Sequence, residues 1–238
     1  MSQFSDELKA EVKTTAEGAW DSRDGQVVPQ SEDLRLANDR VVLNAVLLYA
    51  DLADSTEMAI ADQQIASEVF KSYLRGVTRI IHKNEGHVRS FDGDRVMGIF
   101  IGDYKNTNAA RCGLQIQWFF SNVVTAKFRE FYGDKVAAFN FDQTVGIDRS
   151  SIHVARSGVR DNNDLIWVGR APNIAAKLSS IRMDKFKTFI TPSVYNALEK
   201  SSKFQGSPER DMWTLLSWPS GNAYGIPQIY GSGWTWTP

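Results

Sequence analysis

A largely apolar run, Val41–Ala50, ends abruptly at the carboxylate of Asp51. Bounded runs rich in Val and Leu are typical of buried strands. The pattern after Asp51 is helical, so we expect Asp51 where a central strand ends, a common place for a functional group on a rigid element. Taken alone, an aspartate there favours a turn former or a helix cap, and Asp54 with the residues after it fits such a cap.

The next informative segment predicts a hairpin. Its strands are expected at His87–Phe91 and Arg95–Ile101, with an Asp-Gly pair at 92–93 in the tight turn, because Asp-Gly between apolar runs is a strong hairpin signal. Asp94 lies at the mouth of this hairpin, and Asp51 ends a strand that can pair beside it. Two carboxylates on adjacent central strands can hold a pair of hard cations, which is a site for phosphoryl chemistry.

The rest of the chain alternates between helical and strand patterns. Apolar residues at three- and four-residue intervals predict helices, and short apolar runs predict strands. The alternation predicts an α/β sandwich, a mostly antiparallel sheet backed by helices on one face, compatible with a ferredoxin-like core. The expected helices are Met1–Ala19, Glu57–Lys83, Asn106–Tyr132, Pro172–Arg182 and Pro192–Lys200, and the further strands are Val136–Asp148, Ser151–Arg156, Leu165–Val168 and Thr188–Thr191.

Composition limits the partners and the compartment. The 238 residues carry a formal net charge of −1, so no global basic field attracts nucleic acid. The longest apolar run is too short for a bilayer, which takes about 20 residues to cross, and the N-terminus lacks a signal-peptide pattern. The single cysteine, Cys112, lies in an apolar helical pattern that predicts a core residue. We therefore expect a cytoplasmic protein without nucleic-acid or membrane partners.

Three blocks, in this order, resemble the class III nucleotidyl cyclases. Tyr49-Ala-Asp-Leu-Ala-Asp-Ser-Thr56 is similar to their F-A-D-I-x-G-F-T opening, and Phe91-Asp-Gly-Asp-Arg-Val-Met-Gly-Ile-Phe100 to their K-x-x-G-D-x-V-M-A-x-F hairpin. Trp167-Val-Gly-Arg-Ala-Pro-Asn-Ile-Ala-Ala-Lys-Leu178 is similar to their G-x-x-V-N-x-A-A-R-L helix. Each block alone is weak, and the ordered set is specific. The details resemble the Pycsar pyrimidine cyclases of bacterial antiphage defence.

The chain is expected to divide into three segments, and the resemblance covers Val41–Thr191. Residues 1–40 are expected to form an N-terminal helix and arm, and residues 41–203 the cyclase catalytic domain. Residues 204–238 are expected to form an aromatic-rich extension packed on the same domain. The tail aromatics are not expected to stack bases, because basic residues do not interleave with them.

The resemblance also implies a metal site and its chemistry. Asp51, Asp94 and the main-chain carbonyl of Leu52 would hold two Mn²⁺ or Mg²⁺ ions per active site. Asn173 falls on the family's ribose-orienting Asn. Lys177 falls where the family usually has Arg, and Lys keeps the charge but loses the bidentate fork that suits a phosphate. From spacing alone, Asn173 and Lys177 would be a solvated polar stripe on one helix face.

Phosphate binding and assembly follow from the same resemblance. Arg170 and Arg95 are further candidate phosphate ligands, and either could instead be a surface charge. Class III cyclases use the Asn-bearing helix on the metal site of the partner subunit. The resemblance therefore implies a homodimer with two sites at its interface, a nucleoside triphosphate substrate, and a separately encoded effector that the cyclic nucleotide activates.

Base choice is where the sequence departs most from purine cyclases. Purine cyclases commonly carry Lys where this chain has Ser90, and Asp or Thr where it has Ile166. The usual hydrogen bonds to adenine are therefore missing. Because an unpaired polar edge in a buried pocket is costly, adenine is expected to be a poor substrate. Tyr49 is expected to fill the volume of a purine. Arg89, Ser90 and Asp92 are candidates for reading the pyrimidine edge, and a cation donating to the uracil carbonyl favours UTP. The alternatives are a cytidylate cyclase, an adenylate cyclase, and a catalytically inactive nucleotide-binding domain.

Overall fold

The computed structural model describes residues 2–238, so Met1, the first residue of the predicted N-terminal helix, lies outside the described residues. The chain divides into two compact units. The smaller unit comprises the chain up to Asn44 together with Ser151–Gly169, and the larger unit comprises Ala45–Ser150 together with Arg170–Pro238.

Helices and strands alternate along the chain. The helices are α1 (Gln3–Glu17), α2 (Ser55–Ala61), α3 (Gln63–Lys83), α4 (Lys105–Phe119), α5 (Ala126–Tyr132), α6 (Arg170–Ser179), α7 (Pro192–Asn196) and α8 (Lys200–Lys203). The strands are β1 (Asp21–Asp24), β2 (Asp39–Leu52), β3 (His87–Asp92), β4 (Arg95–Phe100), β5 (Gln143–Val159), β6 (Asn162–Gly169), β7 (Thr188–Ile190), β8 (Phe204–Gln205), β9 (Arg210–Asp211), β10 (Thr214–Ser217) and β11 (Gln228–Ser232). Among residues 2–238, no helix is both long and apolar enough to cross a membrane.

The larger unit is built on a sheet with the strand order β10-β11-β7-β5-β2-β4-β3, to which β2 and β5 contribute the parts that lie in this unit. The pairs β2–β4, β3–β4, β7–β11 and β10–β11 are antiparallel, whereas β5 and β7 are parallel. This mostly antiparallel sheet with helices packed on it confirms the predicted fold class.

The smaller unit contains the first part of β2 and the second part of β5. Strand β1 runs parallel to that part of β2, and β6 runs antiparallel to that part of β5. The predicted N-terminal helix is α1, whose apolar residues Phe4, Leu8 and Val12 are exposed. The segment predicted as a connecting arm contains β1, where Arg23 forms an ion pair with the buried Asp39 at 2.5 Å.

Strand β2 separates the main apolar core of the larger unit from the face that carries the candidate site. Leu48 and Ala50 pack in one core cluster with Tyr73 and other buried residues of α3. Because neighbouring side chains on a strand point to opposite faces, Tyr49 and Asp51 lie on the other face. Burial of each large apolar side chain contributes about 1.5–3 kcal/mol, so the core holds this strand end rigidly.

Helix α6 lies on the sheet face opposite to α3 and α4. Ile190 of β7 belongs to the core under α3 and α4, while the adjacent Phe189 packs with Ile174 of α6. The expectation that helices back only one face is therefore wrong. Gly146 of β5 permits the close approach of α6, since a Cβ at this position would lie 2.2 Å from the carbonyl oxygen of Ala175.

Two predicted helices are interrupted. The predicted helix Glu57–Lys83 is divided into α2 and α3, because Asp62 adopts an extended conformation and accepts a hydrogen bond from the backbone N–H of Ile65 at 3.0 Å. The predicted helix Asn106–Tyr132 contains a π-helical stretch, Phe120–Thr125, between α4 and α5. Capping and helix-register changes of this kind leave the apolar periodicity largely intact, which is why the sequence pattern missed them.

The strand predicted at Val136–Asp148 begins only at Gln143. Val136 and Phe139 are buried, but they reach the core from a 3₁₀ turn and the loop after it. An apolar pattern reports burial and does not distinguish a short strand from a buried turn. Strand β5 then continues without a break to Val159, across the gap predicted between two strands.

Cys112 is fully buried within α4, as the sequence predicted. Burial raises the pKa of its thiol above the ordinary value, because the thiolate is poorly solvated there. The cysteine is therefore an unreactive core residue.

Candidate active site

Asp51, near the end of β2, is held by two arginines. Its Oδ1 accepts a hydrogen bond from Nε of Arg95 at 3.1 Å, and its Oδ2 accepts one from Nη2 of Arg182 at 3.0 Å. The same Nη2 donates to the main-chain carbonyl of Leu52 at 3.3 Å. Asp51 is 6% exposed, so this buried negative charge is balanced by two partly exposed guanidinium groups.

Asp94 lies in the two-residue turn between β3 and β4. The turn begins at Gly93 with φ +60°, which suits the first position of a type II′ turn, so the predicted turn is displaced by one residue. Oδ2 of Asp94 is buried without a hydrogen-bond partner in the described part of the chain. Burial and then the charge of Asp51 raise the pKa of Asp94, although a hydrogen bond with Ser55 acts in the opposite direction.

Tyr73 of α3 adds a second buried polar atom to this part of the fold. Its side chain is fully buried, and its hydroxyl has no partner within residues 2–238. Burial raises the pKa of Tyr73 well above its ordinary value, and the charges of Asp51 and Asp94 add to this effect. An unpaired buried polar group costs about 1–3 kcal/mol, and native proteins commonly carry that cost where an ion or a reaction is involved.

Three neighbouring strands present a row of side chains on the Asp51 face of the sheet. Tyr49 of β2 is opposite Met97 of β4, and Met97 is opposite Ser90 of β3. Directly opposed residues on paired strands share one face. Arg89 falls at a register shift immediately before Ser90, and such a bulge redirects a side chain out of the regular alternation.

The charged end of the hairpin reaches the same row. Asp92 ends β3 opposite Arg95 and is exposed. Burial raises the pKa of the Tyr49 phenol, while Arg95 lowers it and Asp92 raises it further. The predicted base-reading residues Tyr49, Ser90 and Asp92 therefore gather at one end of the hairpin.

Helix α6 is anchored at its first residue. Arg170 donates from Nε and Nη2 to the two carboxylate oxygens of Asp148, at 3.1 Å each. Asp148 is fully buried and also accepts a hydrogen bond from Oγ1 of Thr191 at 2.6 Å. The backbone N–H of Ala171 donates to Oγ of Ser150 at 3.1 Å. These contacts give Arg170 a structural role, and its predicted contact with a phosphate stays a prediction.

The predicted catalytic residues Asn173 and Lys177 lie four residues apart on the exposed side of α6. Nζ of Lys177 lies 5.3 Å from the ring centroid of Tyr224. On the opposite side of the helix, Ile174 and Leu178 are buried. The apolar side fixes the helix on the sheet, and the polar side faces outward from this chain.

Ile166 is the one predicted site residue that belongs to the smaller unit. It lies on β6 opposite Ala155 of β5 and is 44% exposed. The other predicted site residues belong to the larger unit, where they lie at the end of β2, on the hairpin and on α6.

The oxygen atoms at the end of β2 and in the hairpin turn fit a divalent cation. Carboxylates and carbonyls such as those of Asp51, Asp94 and Leu52 are the hard donors that Mg²⁺ and Mn²⁺ take. The unpartnered Oδ2 of Asp94 is the buried atom that such an ion would satisfy. Within residues 2–238, no group of three or more His, Cys, Asp or Glu side chains could hold a metal ion.

Three curated proteins match nearly the whole chain. The uridylate cyclase of Rhodovulum sp. (strain MB263) is 37% identical over 90% of this chain and 90% of its own length. The uridylate cyclase of Xanthomonas perforans is 38% identical over 97% of both chains, and that of Burkholderia cepacia is 36% identical over 98% of this chain and 99% of its own. The chain belongs to the uridylate cyclase family. It is a nucleotidyl cyclase, as the three ordered blocks predicted.

Solved structures confirm the class III cyclase fold of this nucleotidyl cyclase. The adenylyl cyclase CyaB from P. aeruginosa gives a TM-score of 0.68 at 18% identity and covers 81% of this chain and 95% of that chain. The guanylyl cyclase Cya2 gives 0.63 at 16% identity, covering 84% and 95%. The non-canonical dimeric guanylyl cyclase domain of the RhoGC fusion protein from Blastocladiella emersonii gives 0.59 at 14% identity, covering 80% and 97%. No protein-family model matches the chain.

Sequence reasoning missed two arginine–aspartate contacts of this nucleotidyl cyclase. They are Arg182 with Asp51 and Arg170 with Asp148. Arg182 was expected only as the end of a helix, and Asp148 only as the end of a strand. A basic residue beside a helix C-terminus is a general stop signal and could have drawn attention to Arg182. Nothing in the local pattern around Asp148 signals that it will be buried and paired with Arg170.

Proposed function

We propose that the chain converts UTP into 3′,5′-cyclic UMP and pyrophosphate, and that this product is a second messenger in antiphage defence. The observation that carries the chemistry is the pair of carboxylates, Asp51 and Asp94, at the ends of neighbouring strand segments, one of them with an unpartnered buried oxygen. The choice of UTP is supported by the three relatives named uridylate cyclase.

The proposed metal ligands are Asp51, Asp94 and the carbonyl of Leu52, which would hold two Mn²⁺ or Mg²⁺ ions. When bound, such ions supply positive charge that acidifies the ribose 3′-hydroxyl and stabilises the triphosphate. Both carboxylates must be ionised to bind them, and the rigid strand end and hairpin hold the donors at a fixed spacing.

The reaction itself is an in-line displacement. The ribose 3′-oxygen releases its proton to solvent water and bonds to the α-phosphorus, while the bond from the α-phosphorus to the bridging oxygen breaks and pyrophosphate leaves with that oxygen. Asn173 orients the ribose, and Lys177 offsets the charge that develops on the phosphate. An ammonium at position 177 gives a point charge and not a two-pronged contact, so geometric selection there is weaker than with Arg.

We propose a homodimer in which α6 of one chain completes the site of the other. Asn173 and Lys177 face outward from their own chain on a helix that is anchored by its apolar side. A related fold is described as a non-canonical dimeric guanylyl cyclase domain. Two carboxylate sites and two α6 helices then form two complete sites at the interface.

Base selection is proposed to depend on the row formed by Tyr49, Met97 and Ser90. The Tyr49 ring limits the depth of the pocket, which favours the smaller pyrimidine ring. Arg89 is the donor proposed to read the uracil carbonyl, and Asp92 is the acceptor that would favour the cytosine amino group. The position of Ile166 in the smaller unit leaves its predicted contact with the base a proposal.

The test is incubation of the purified protein with each of the four nucleoside triphosphates and Mn²⁺, with products separated by chromatography and identified by mass spectrometry. The expected result is cyclic UMP with the highest kcat/KM, cyclic CMP next, and little purine product. Faster turnover of ATP than of either pyrimidine would overturn the pyrimidine assignment, and faster turnover of CTP would overturn only the preference for uracil. A parallel assay uses the Arg89→Ala variant. This substitution is expected to lower kcat/KM for UTP about tenfold more than for CTP, because it removes one charge-assisted hydrogen bond to the uracil carbonyl.

The proposed role in defence has a separate readout. We expect a cytoplasmic enzyme whose product accumulates in infected bacteria and activates a separately encoded effector. Nucleotides extracted before and after phage infection would show whether cyclic UMP rises in cells that carry the wild-type chain. Cells that carry Asp51→Ala supply the control.

A further inference from the structure

Arg182 contacts two of the three proposed metal ligands at once. Its Nη2 lies 3.0 Å from Oδ2 of Asp51 and 3.3 Å from the carbonyl oxygen of Leu52. A divalent cation bound by these two oxygens would need the place that this nitrogen occupies. Arg95 differs, because it approaches the other carboxylate oxygen, Oδ1, through Nε.

We propose that Arg182 exchanges between two ligands: the Asp51–Leu52 oxygens in the metal-free enzyme, and the substrate's triphosphate once cations have taken those oxygens. This inference rests on the proposed function, since it takes the metal ligands and the triphosphate substrate from it. It adds a substrate-binding residue outside the three blocks of sequence that identify the catalytic site.

The other half of the guanidinium explains why Arg182 stays near the site after release. Nη1 donates to the carbonyl of Ser179 at 2.7 Å and to that of Ile181 at 3.3 Å. The Ser179 carbonyl lies at the C-terminal end of α6, where the helix dipole favours a cation, and the Ile181 carbonyl lies two residues beyond it. The side chain is also 37% exposed, so it can move without unpacking the core.

Charge balance determines the second ligand. Arg95 and Arg182 together balance one buried carboxylate, Asp51. Cations at Asp51 and Asp94 would repel the guanidinium of Arg182 and attract the triphosphate to the same place. A guanidinium offers paired N–H donors that match phosphate oxygens, which makes the triphosphate the favourable new partner.

Arg182 either competes with the cations for Asp51 or only supports Asp51 in its position. These two roles predict opposite changes in metal affinity when Arg182 is removed. If Arg182 competes with cations, its removal strengthens metal binding. If Arg182 only holds Asp51 in position, its removal weakens metal binding. Triphosphate binding in the presence of metal should weaken on removal only if the guanidinium contacts the phosphates.

The experiment uses the full chain and two calorimetric titrations without any turnover. The first adds Mn²⁺ to metal-free wild type, Arg182→Ala, Arg182→Gln and the control Arg160→Ala, which alters an exposed arginine in the turn between β5 and β6. Arg182→Ala and Arg182→Gln are each expected to bind Mn²⁺ about threefold more tightly, the effect of losing an ion pair with one exposed partner. The second adds inorganic tripolyphosphate to the Mn²⁺-saturated proteins, and both variants are expected to bind it about tenfold more weakly.

Unchanged or weaker Mn²⁺ binding in both Arg182 variants would overturn the exchange. Unchanged tripolyphosphate binding would also overturn it. Circular dichroism and melting curves establish that each variant is folded, and the glutamine variant keeps the test available if alanine disturbs the helix end. Because neither titration involves a base or a reaction, failure of the uridylate cyclase assignment would leave both results interpretable.

Discussion

Two buried aspartates of the larger unit, Asp51 and Asp148, are both bound by arginine, yet their surroundings differ. Asp148 receives two parallel bonds from Arg170 and a third bond from the hydroxyl of Thr191. Asp51 receives single bonds from Arg95 and Arg182, two partly exposed side chains. A carboxylate with fixed, bidentate and hydroxyl partners is a structural anchor. A carboxylate held by single bonds from two separate arginines, next to a second carboxylate with one unpartnered buried oxygen, is suited to exchange those arginines for metal cations.

The largest expected effect tests the functional half of this comparison. Asp51→Ala and Asp94→Ala are each expected to lower the rate of cyclisation by about a thousandfold or more, a loss of about 4 kcal/mol in transition-state stabilisation. Each removes a ligand shared by the cations, and neither opens a large core cavity. Product formation with Mn²⁺ is measured beside the melting temperature, with the exposed Asp103→Ala as control. Near-wild-type turnover in either variant would refute the metal site.

Subunit exchange tests whether the Asp51 site needs α6 of a second chain. Asp51→Ala and Asn173→Ala homodimers are each expected to be inactive. Their mixture should regain about a quarter of the wild-type rate, because random exchange makes about half of the dimers mixed, each with one working site. Labelled subunits would verify that exchange has occurred. Absence of recovery after verified exchange would rule out a site shared between chains.

Asp148→Ala tests whether Asp148 is a structural anchor. It leaves the Arg170 guanidinium and the Thr191 hydroxyl without their common partner and releases the first turn of α6. We expect a loss of about 3 kcal/mol in the free energy of unfolding, the lower end for breaking a buried ion pair, because Arg170 is partly exposed. Urea denaturation measures it, with Asp51→Ala as the matched variant that should change stability far less. Equal losses in the two variants would remove the distinction between anchor and exchange site.

Thr191→Val is expected to cause the smallest change in the free energy of unfolding. Valine keeps the volume and the branching of threonine. It removes the hydrogen bond to the Asp148 carboxylate, which costs about 1.5 kcal/mol, and the contact with the Ser193 hydroxyl, which can bond to Asp148 instead. The bidentate contact with Arg170 remains, so α6 should stay in place and KM for the nucleotide should be unchanged. Urea denaturation and steady-state kinetics on the same preparation check both statements. A raised KM with unchanged stability would show that Thr191 affects the site and not the anchor.

The sequence predicted those parts of the molecule that are determined locally. Strand β2 and the hairpin follow from apolar runs and an Asp-Gly pair, and both were found within two residues of their expected bounds. The candidate carboxylates could be named because they follow such strands. The strand expected at Val136–Asp148 starts only at Gln143, because a buried turn gives the same apolar signal as a strand.

The features that the sequence did not predict depend on contacts between distant segments. Arg182 meets Asp51 across 131 positions of the chain, and Arg170 meets Asp148 across 22. No local pattern encodes these pairs, since each needs the sheet and α6 to be in place first. The packing of α6 on the second face of the sheet likewise depends on Gly146, whose importance is visible only when the helix lies against it.

The buried thiol of Cys112 makes this chain convenient for spectroscopy. It is the single cysteine of the sequence and is sealed within the core, so maleimide reagents should leave the native protein unmodified. A cysteine introduced at the exposed position directly after α6, as in Ser180→Cys, would then be the only residue to carry a fluorophore or a spin label. Energy transfer or dipolar spectroscopy between two copies could follow the approach of the helices in real time, without first building a cysteine-free background.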